Sequence, residues 1–269
     1  MAFVLHNSLF TYLALVPLLF NLCYCFNLKL LNVSKLDSGS GWSSARASWY
    51  GNPSGAGSVG GACGYQNAVE AAPFSSLITA AASSIYNSGK ACGTCFQVKC
   101  TRTASCSGNP VTVVITDECP GCDSQSLLFD LSGSSFGTMA ISGKENQLRN
   151  VGIEQIQYRR VHCNFGGVSV AFRVDPGTNE NYFAAAVQFE NGDGLAGVEL
   201  KQAAKSGGAW LKMQPSWGAV WKVDLPPNYK PPFSVRLTAG GNSGKTIVAD
   251  KVIPANYKPG QTYRSMVNF

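Results

Sequence analysis

Cys95-Phe-Gln-Val-Lys-Cys100, Val111-Thr-Val-Val-Ile-Thr-Asp117 and Leu127-Leu-Phe-Asp-Leu131 decide the fold of the first half of the chain. Each run is short, rich in β-branched or aromatic residues, and set between Gly, Pro, Ser and Asn, which is how a strand between turns reads. Ile153–His162 has the same character. The Ala-rich stretch Ser76–Ser84 is the one modest helix candidate. Short strands in a Gly-rich segment from Ala45 to Phe172, with helical insertions, predict a small closed barrel.

From Val168 the pattern is strand throughout. The candidates are Val168–Val174, Tyr182–Glu190, Leu195–Lys201, Trp210–Met213, Val220–Leu225, Phe233–Thr238, Thr246–Ile253 and Tyr263–Phe269. Eight short strands with Pro, Gly and Asn turns between them predict an antiparallel sandwich. The joint around Asn164-Phe-Gly-Gly167 is short, so the two domains are expected side by side.

Composition agrees. A chain of 269 residues holds about two domains at roughly 150 residues each. Hydrophobic residues are 45% and charged residues 13%, about half the usual charged share of roughly 25%. The balance excludes disorder, and the absence of a triplet or heptad period excludes collagen and coiled coil. The one long apolar run, Leu9–Phe20, is shorter than the roughly 20 residues that span a bilayer. A polytopic membrane protein is thereby excluded. The run leads into Cys23-Tyr24-Cys25, and residues 1–25 read as a secretory signal peptide, leaving no integral membrane segment after cleavage. Residues 26–44 read as a flexible leader, with Asn32-Val33-Ser34 a sequon for N-glycosylation.

Of ten cysteines, Cys23 and Cys25 leave with the signal peptide. The other eight all precede residue 164, which is the clearest domain signal in the chain. Cys92-Gly-Thr-Cys95 and Cys119-Pro-Gly-Cys122 have a spacing not far from that of a zinc ribbon. An exported chain meets an oxidising compartment, however, where an even set of cysteines becomes disulfides, so no metal is expected. Spacing alone leaves about 105 pairings open for eight cysteines. The net charge of +6 favours acidic partners such as uronic acids or anionic surfaces. With no Lys/Arg run and no recognition-helix pattern, nucleic acid is excluded.

Chemistry is sparse. There is no phosphate loop, no pair of metal histidines and no nucleophile elbow. The two histidines are His6, in the signal peptide, and His162, beside Cys163. Asp117 ends an apolar strand and Asp130 lies within one, where period two puts Leu128 on the face of Asp130. Two facing carboxyls suit general acid–base cleavage of a glycoside, and equally suit acids that hold backbone or Arg hydrogen bonds. Trp49-Tyr50 runs into the turn Gly51-Asn52-Pro53, where burying both rings looks difficult. In Tyr182–Glu190, Phe183, Ala185, Val187 and Phe189 form a core face. Tyr182, Ala184, Ala186 and Gln188 form a flat face opposite. Trp217 sits at a bend, and Trp221 alternates with Val223 and Leu225 as core. Exposed rings of this kind suit stacking on pyranoses.

Nine motifs then run in order through the chain: Ala45-Arg-Ala-Ser-Trp-Tyr-Gly51, Gly60-Gly-Ala-Cys-Gly-Tyr65, Gly93-Thr-Cys-Phe-Gln-Val-Lys-Cys100, Cys106-Ser-Gly-Asn-Pro-Val111, Ile115-Thr-Asp117, Phe129-Asp-Leu-Ser-Gly133, Tyr158-Arg-Arg160, Ser216-Trp-Gly-Ala-Val-Trp221 and Val252-Ile-Pro-Ala-Asn256. With them the chain resembles the expansins, most closely the beta-expansins related to group-1 grass pollen allergens. The resemblance implies a six-stranded double-psi β-barrel over residues 45–166, like that of family-45 endoglucanases. An immunoglobulin-like carbohydrate-binding β-sandwich over 167–269 follows it. It implies a secreted protein of the plant cell wall, with peripheral membrane association compatible. Such a protein is monomeric, needs no cofactor and loosens the wall without hydrolysis. Its partners would be cellulose and matrix polysaccharides, namely xylans and mixed glucans.

Carried over by position, the cleft would hold Ser48, which is Thr in many relatives, with Asp117 and Asp130. Trp49, Tyr50, Tyr182 and Trp217 would form the polysaccharide surface. The implied disulfides are Cys63–Cys92, Cys95–Cys163 and Cys100–Cys106, leaving Cys119–Cys122 by elimination. Asp130 matches the proton donor of the endoglucanases, but Trp49–Asn52 carries no acid where their base would be. Leu128 stands where the family has His, and Val59 where it has an acid. Three functions follow from these residues. One is non-hydrolytic loosening, one an endoglucanase or lytic transglycosylase using Asp117 and Asp130, and one a polysaccharide-binding protein with a disabled cleft.

Overall fold

A computed structural model of the chain describes residues 41–203, 208–241 and 243–269. The expected signal peptide, most of the leader, and Asn32 lie outside the described residues. Six strands close into a barrel: β1 (Ser43–Tyr50), β2 (Ile78–Ala82), β3 (Cys95–Cys100), β4 (Val111–Cys119), β5 (Phe129–Ser132) and β6 (Glu154–Val161). Their order around it is β1-β5-β2-β4-β3-β6. β1 with β5 and β2 with β4 are the parallel pairs, and the other four pairings are antiparallel. Phe96, Phe129 and Tyr158 fill the interior, with Phe129 5.3 Å from each of the other two rings.

Two local readings change. Residues 76–84 do not form a helix. Ile78–Ala82 is a strand buried at every position, bonded to β4 on one edge and β5 on the other. Alanine's helix preference is a weak prior of a few tenths of a kcal/mol per residue, which two hydrogen-bonded edges outweigh. Only Ser83–Tyr86 (α1) makes a helical turn after it. The leader also ends sooner than expected. β1 starts at Ser43, opposite Tyr158, and the Trp42 ring lies under the Lys99 ammonium at 4.2 Å and the Arg159 guanidinium at 4.7 Å. Two more short helices, α2 (Gly133–Thr138) and α3 (Glu145–Arg149), complete the barrel. The Ser132 hydroxyl caps α2 by accepting from the Ser135 N–H.

The second half is a two-sheet antiparallel sandwich. Its strands are β7 (Ala171–Val174), β8 (Tyr182–Gln188), β9 (Leu195–Gln202), β10 (Leu211–Lys212), β11 (Gln214–Trp217), β12 (Val220–Asp224), β13 (Phe233–Ala239), β14 (Thr246–Ile253) and β15 (Thr262–Arg264). One sheet runs β10-β9-β13-β14 and the other β11-β12-β8-β7-β15. The strand not anticipated is β11, which forms a hairpin with β12 through Gly218, whose φ of +50° suits a residue with no Cβ. Phe183 and Phe233 meet edge to face at 5.5 Å in the sandwich core.

The bridges are Cys63–Cys92, Cys95–Cys163, Cys100–Cys106 and Cys119–Cys122. The two halves are stitched at the joint. The Cys163 N–H donates to Gly192 O at 2.8 Å and the Gly192 N–H returns a bond to Cys163 O at 3.1 Å. Beside it Arg160 pairs with Asp193 at 2.8 Å.

Candidate functional site

Strand register builds the cleft. Ser48 on β1 stands opposite Asp130 on β5, Asp130 opposite Ala80 on β2, and Ala80 opposite Asp117 on β4. Residues directly opposite on paired strands share a face, so Ser48, Asp130, Ala80 and Asp117 form one row. Strands lie about 4.8 Å apart, so one strand separates the acids, and its residue in the row is only a methyl group. A bulge puts Asp117 there. Thr79 pairs with Ile115 but Ala80 with Asp117, which leaves Thr116 as the extra residue.

The two acids are held differently. Asp130 Oδ1 accepts from the Ser48 hydroxyl at 2.6 Å. Burial pushes its carboxyl above the ordinary aspartate value, the Ser48 hydrogen bond opposes that, and the charge of Asp117 adds to it. Asp117 Oδ1 accepts from the backbone N–H of Ala62 at 2.7 Å and of Glu118 at 2.8 Å. Gly61 permits this, because a Cβ there would lie 2.6 Å from Thr116 O. Tyr50 adjoins both carboxylates. Burial, then the two negative charges, push its phenol well above the usual range. Its hydroxyl is buried beside the Ser58 backbone, which opposes that rise, without a hydrogen bond of full geometry among the described residues.

The aromatic candidates divide. Trp49 and Tyr50 are both half-buried, contrary to the expectation for a turn-rich stretch. The Trp49 indole N–H donates to Arg149 O at 2.9 Å, and the backbone of Gly57 presses on the Tyr50 ring so closely that no Cβ fits. The turn itself folds over the rings. On β8, Ala184, Ala186 and Gln188 are buried, so they form no open platform. Tyr182 and Val220 pack with the alanines, and Tyr182 remains half-buried. Trp217 is 49% exposed, and its six-membered ring lies against Gly64 of the barrel, where a Cβ would come within 2.7 Å. Trp217 therefore sits at the seam of the two halves. Trp221 packs on the sandwich core.

Leu128 lies in a bend just before β5, but its N–H donates to Arg46 O at 3.1 Å and its O accepts from the Ala82 N–H at 3.0 Å, so it continues the ladder to β1 and β2 and stays on the face of Asp130, as the alternation predicts. Its side chain packs with the small cluster of Ala82, Cys122 and Leu127, which includes the Cys119–Cys122 bridge. Val59 is 38% exposed. Sequence reasoning missed Ala80, Gly57, Gly61 and Gly64, the residues that let backbone and rings approach. The glycines of Gly60-Gly-Ala-Cys-Gly-Tyr65 were the available signal. Among the described residues no cluster of His, Cys, Asp and Glu could hold a metal, and no helix is long and apolar enough to cross a membrane.

The profile described as the expansin C-terminal domain matches residues 170–254, and one described as lytic transglycolase matches residues 78–158. Putative expansin-B2 of Arabidopsis thaliana is 55% identical over 269 residues, covering 99% of this chain and 97% of that protein. The chain belongs to the expansin family. Expansin-B11 of Oryza sativa subsp. japonica is 53% identical over 85% of this chain and 78% of its own length. Its relatives are thus B-type expansins, members of a family of non-hydrolytic wall-loosening proteins. Two crystal structures of Clavibacter michiganensis expansin share the fold. One is the apo protein and one a point mutant in complex with cellohexaose, each with a TM-score of 0.62 and 24% identity over 85% of this chain and 98% of theirs.

Proposed function

We propose that this expansin loosens the wall by competing for the non-covalent contacts between cellulose microfibrils and matrix glucans or xylans. The observation that carries the reading is the unequal state of the two acids. Asp130 is half-buried and inclined to hold its proton, so it can donate to a glucan oxygen in an acidic wall. Asp117 has one oxygen occupied by two backbone N–H groups, which suits it to shaping the cleft rather than to activating water. Hydrolysis needs a base as well as an acid, and Trp49–Asn52 supplies none. Ser48 sets the Asp130 carboxyl, Trp49 and Tyr50 form the barrel end of the polysaccharide surface, and Tyr182 and Trp217 its sandwich end.

Binding energy spread along such a surface replaces glucan–glucan hydrogen bonds with protein–glucan ones, and loaded polymers slip. The cellohexaose bound to the Clavibacter expansin supports cellulose as a partner. The division into a barrel that begins with β1 at Ser43 and runs to residue 166 and a binding sandwich over 167–269, secretion after loss of residues 1–25, glycan attachment at Asn32, action as a monomer and independence of any cofactor belong to the same reading. The test is extension of a clamped, heat-inactivated wall strip with reducing sugar measured in parallel. Creep without sugar release is expected, with loss of creep in Asp130→Asn. Sugar released in step with creep would make the protein a glycosidase. Tight wall binding without creep would make it a binding protein with a disabled cleft.

A further inference from the structure

A cavity of about 360 Å³ lies at the seam between barrel and sandwich, away from the row of Ser48, Asp130 and Asp117. Pockets that take small ligands begin at roughly 300 Å³. Its floor is a cluster of three phenylalanines: Phe74 lies 5.7 Å from Phe165 and 5.0 Å from Phe189, and Phe165 lies 5.9 Å from Phe189. Trp217 and Trp221 line it from the sandwich. It opens at Lys90 and Ala196, both exposed.

The one carboxyl on its lining is Glu190, which is 7% exposed. Oε1 accepts from the Gly194 N–H at 3.1 Å. Among the described residues nothing bonds to Oε2, so the acid proton on that oxygen has no protein acceptor. Burial is the main reason the Glu190 carboxyl is pushed up to about 8, with Asp193 raising it and Arg160 and the Gly194 hydrogen bond lowering it. Tyr65 faces it from the barrel and the Lys90 ammonium stands at the mouth. In a neutral or acidic medium the cavity therefore presents aromatic faces and two buried O–H donors, the Glu190 acid and the Tyr65 phenol. A sugar fits this poorly, since it brings a hydroxyl on nearly every carbon and each must find a partner. A flat ring with a single acceptor fits both features.

We propose that this cavity binds a small planar aromatic ester, its ring against the phenylalanine floor and its carbonyl accepting a hydrogen bond from the Glu190 acid. Ionised Glu190 has only acceptors to offer an ester carbonyl, so binding falls as the pH rises through about 8. The probe is methyl trans-cinnamate, which has no titrating group, added to the full chain and followed by calorimetry and tryptophan fluorescence. One saturable site with submillimolar affinity is expected at pH 6, with affinity at least fivefold lower at pH 9. Glu190→Gln keeps an N–H donor and should bind with no pH dependence across that range. Ala196→Trp, at the exposed rim, should weaken binding at least tenfold without disturbing the fold. Absence of saturable binding at millimolar probe overturns the proposal. So does native binding that ignores pH, or binding that Ala196→Trp leaves untouched.

Discussion

Ser48 and Asp130 stand directly opposite each other on parallel strands, and the Ser48 hydroxyl donates to Asp130 Oδ1 at 2.6 Å. The bond favours the ionised carboxylate, so it works against the burial that raises the Asp130 carboxyl. Ser48→Ala should therefore move the Asp130 titration further upward, and Ser48→Thr, which keeps the hydroxyl, should not. If the protonated acid is the working form, creep in Ser48→Ala should persist to higher pH than in the native protein. Carbon-detected NMR titration of the carboxyl reads this directly, and an unmoved titration would remove Ser48 from that role.

Trp217 is the ring with most surface to offer a glucan, and Tyr182 has less. Trp217→Ala should weaken adsorption to cellulose by about 1–3 kcal/mol, with a smaller loss for Tyr182→Ala. Binding isotherms on insoluble cellulose measure both. Circular dichroism must show a folded protein, because Trp217 also covers Gly64.

Leu128 packs with Ala82, Cys122 and Leu127. Leu128→His places a polar ring in that apolar cluster and should cost about 1–2 kcal/mol of stability with no gain in creep. Faster creep in the variant would show that residue 128 acts on the cleft after all.

The bridges should differ in worth. Cys95–Cys163 closes a span of 68 residues and Cys119–Cys122 one of 3. In the chain-entropy picture removing the first costs about 4 kcal/mol and the second about 2 kcal/mol. Denaturant titration of the two paired Cys→Ala variants ranks them, and the reverse order would refute the argument.

Glu190 sets a pH dependence of stability. Its carboxyl titrates near 4.5 when exposed and is pushed up to about 8 in the fold. A raised folded value means that the stability it contributes is fully present below about 4.5 and is lost as the pH rises to about 8. The full swing is on the order of 5 kcal/mol. Glu190→Gln should flatten the fall in melting temperature between pH 5 and 8. A native protein whose melting temperature does not fall over that range would place the carboxyl in contact with solvent.

Much of this was legible in the chain itself. Runs such as Val111–Thr116 carry their strand character in a few residues, and the nine ordered motifs carried the family, because turn chemistry and side-chain periodicity are local properties. Asp117, Asp130 and Trp217 were likewise visible as residues out of keeping with their surroundings. Their arrangement was not. The row joining Ser48 to Asp117 depends on two strand registers and on a bulge at Thr116, and register arises between segments tens of residues apart. Ile78–Ala82 reads locally as helix and becomes a strand only because β4 and β5 bond both its edges. The seam that joins Gly64 to Trp217 and leaves Glu190 beside a cavity exists only once two independently patterned halves pack together. Such contacts are decided by shape and desolvation across the interface, which no window of sequence contains.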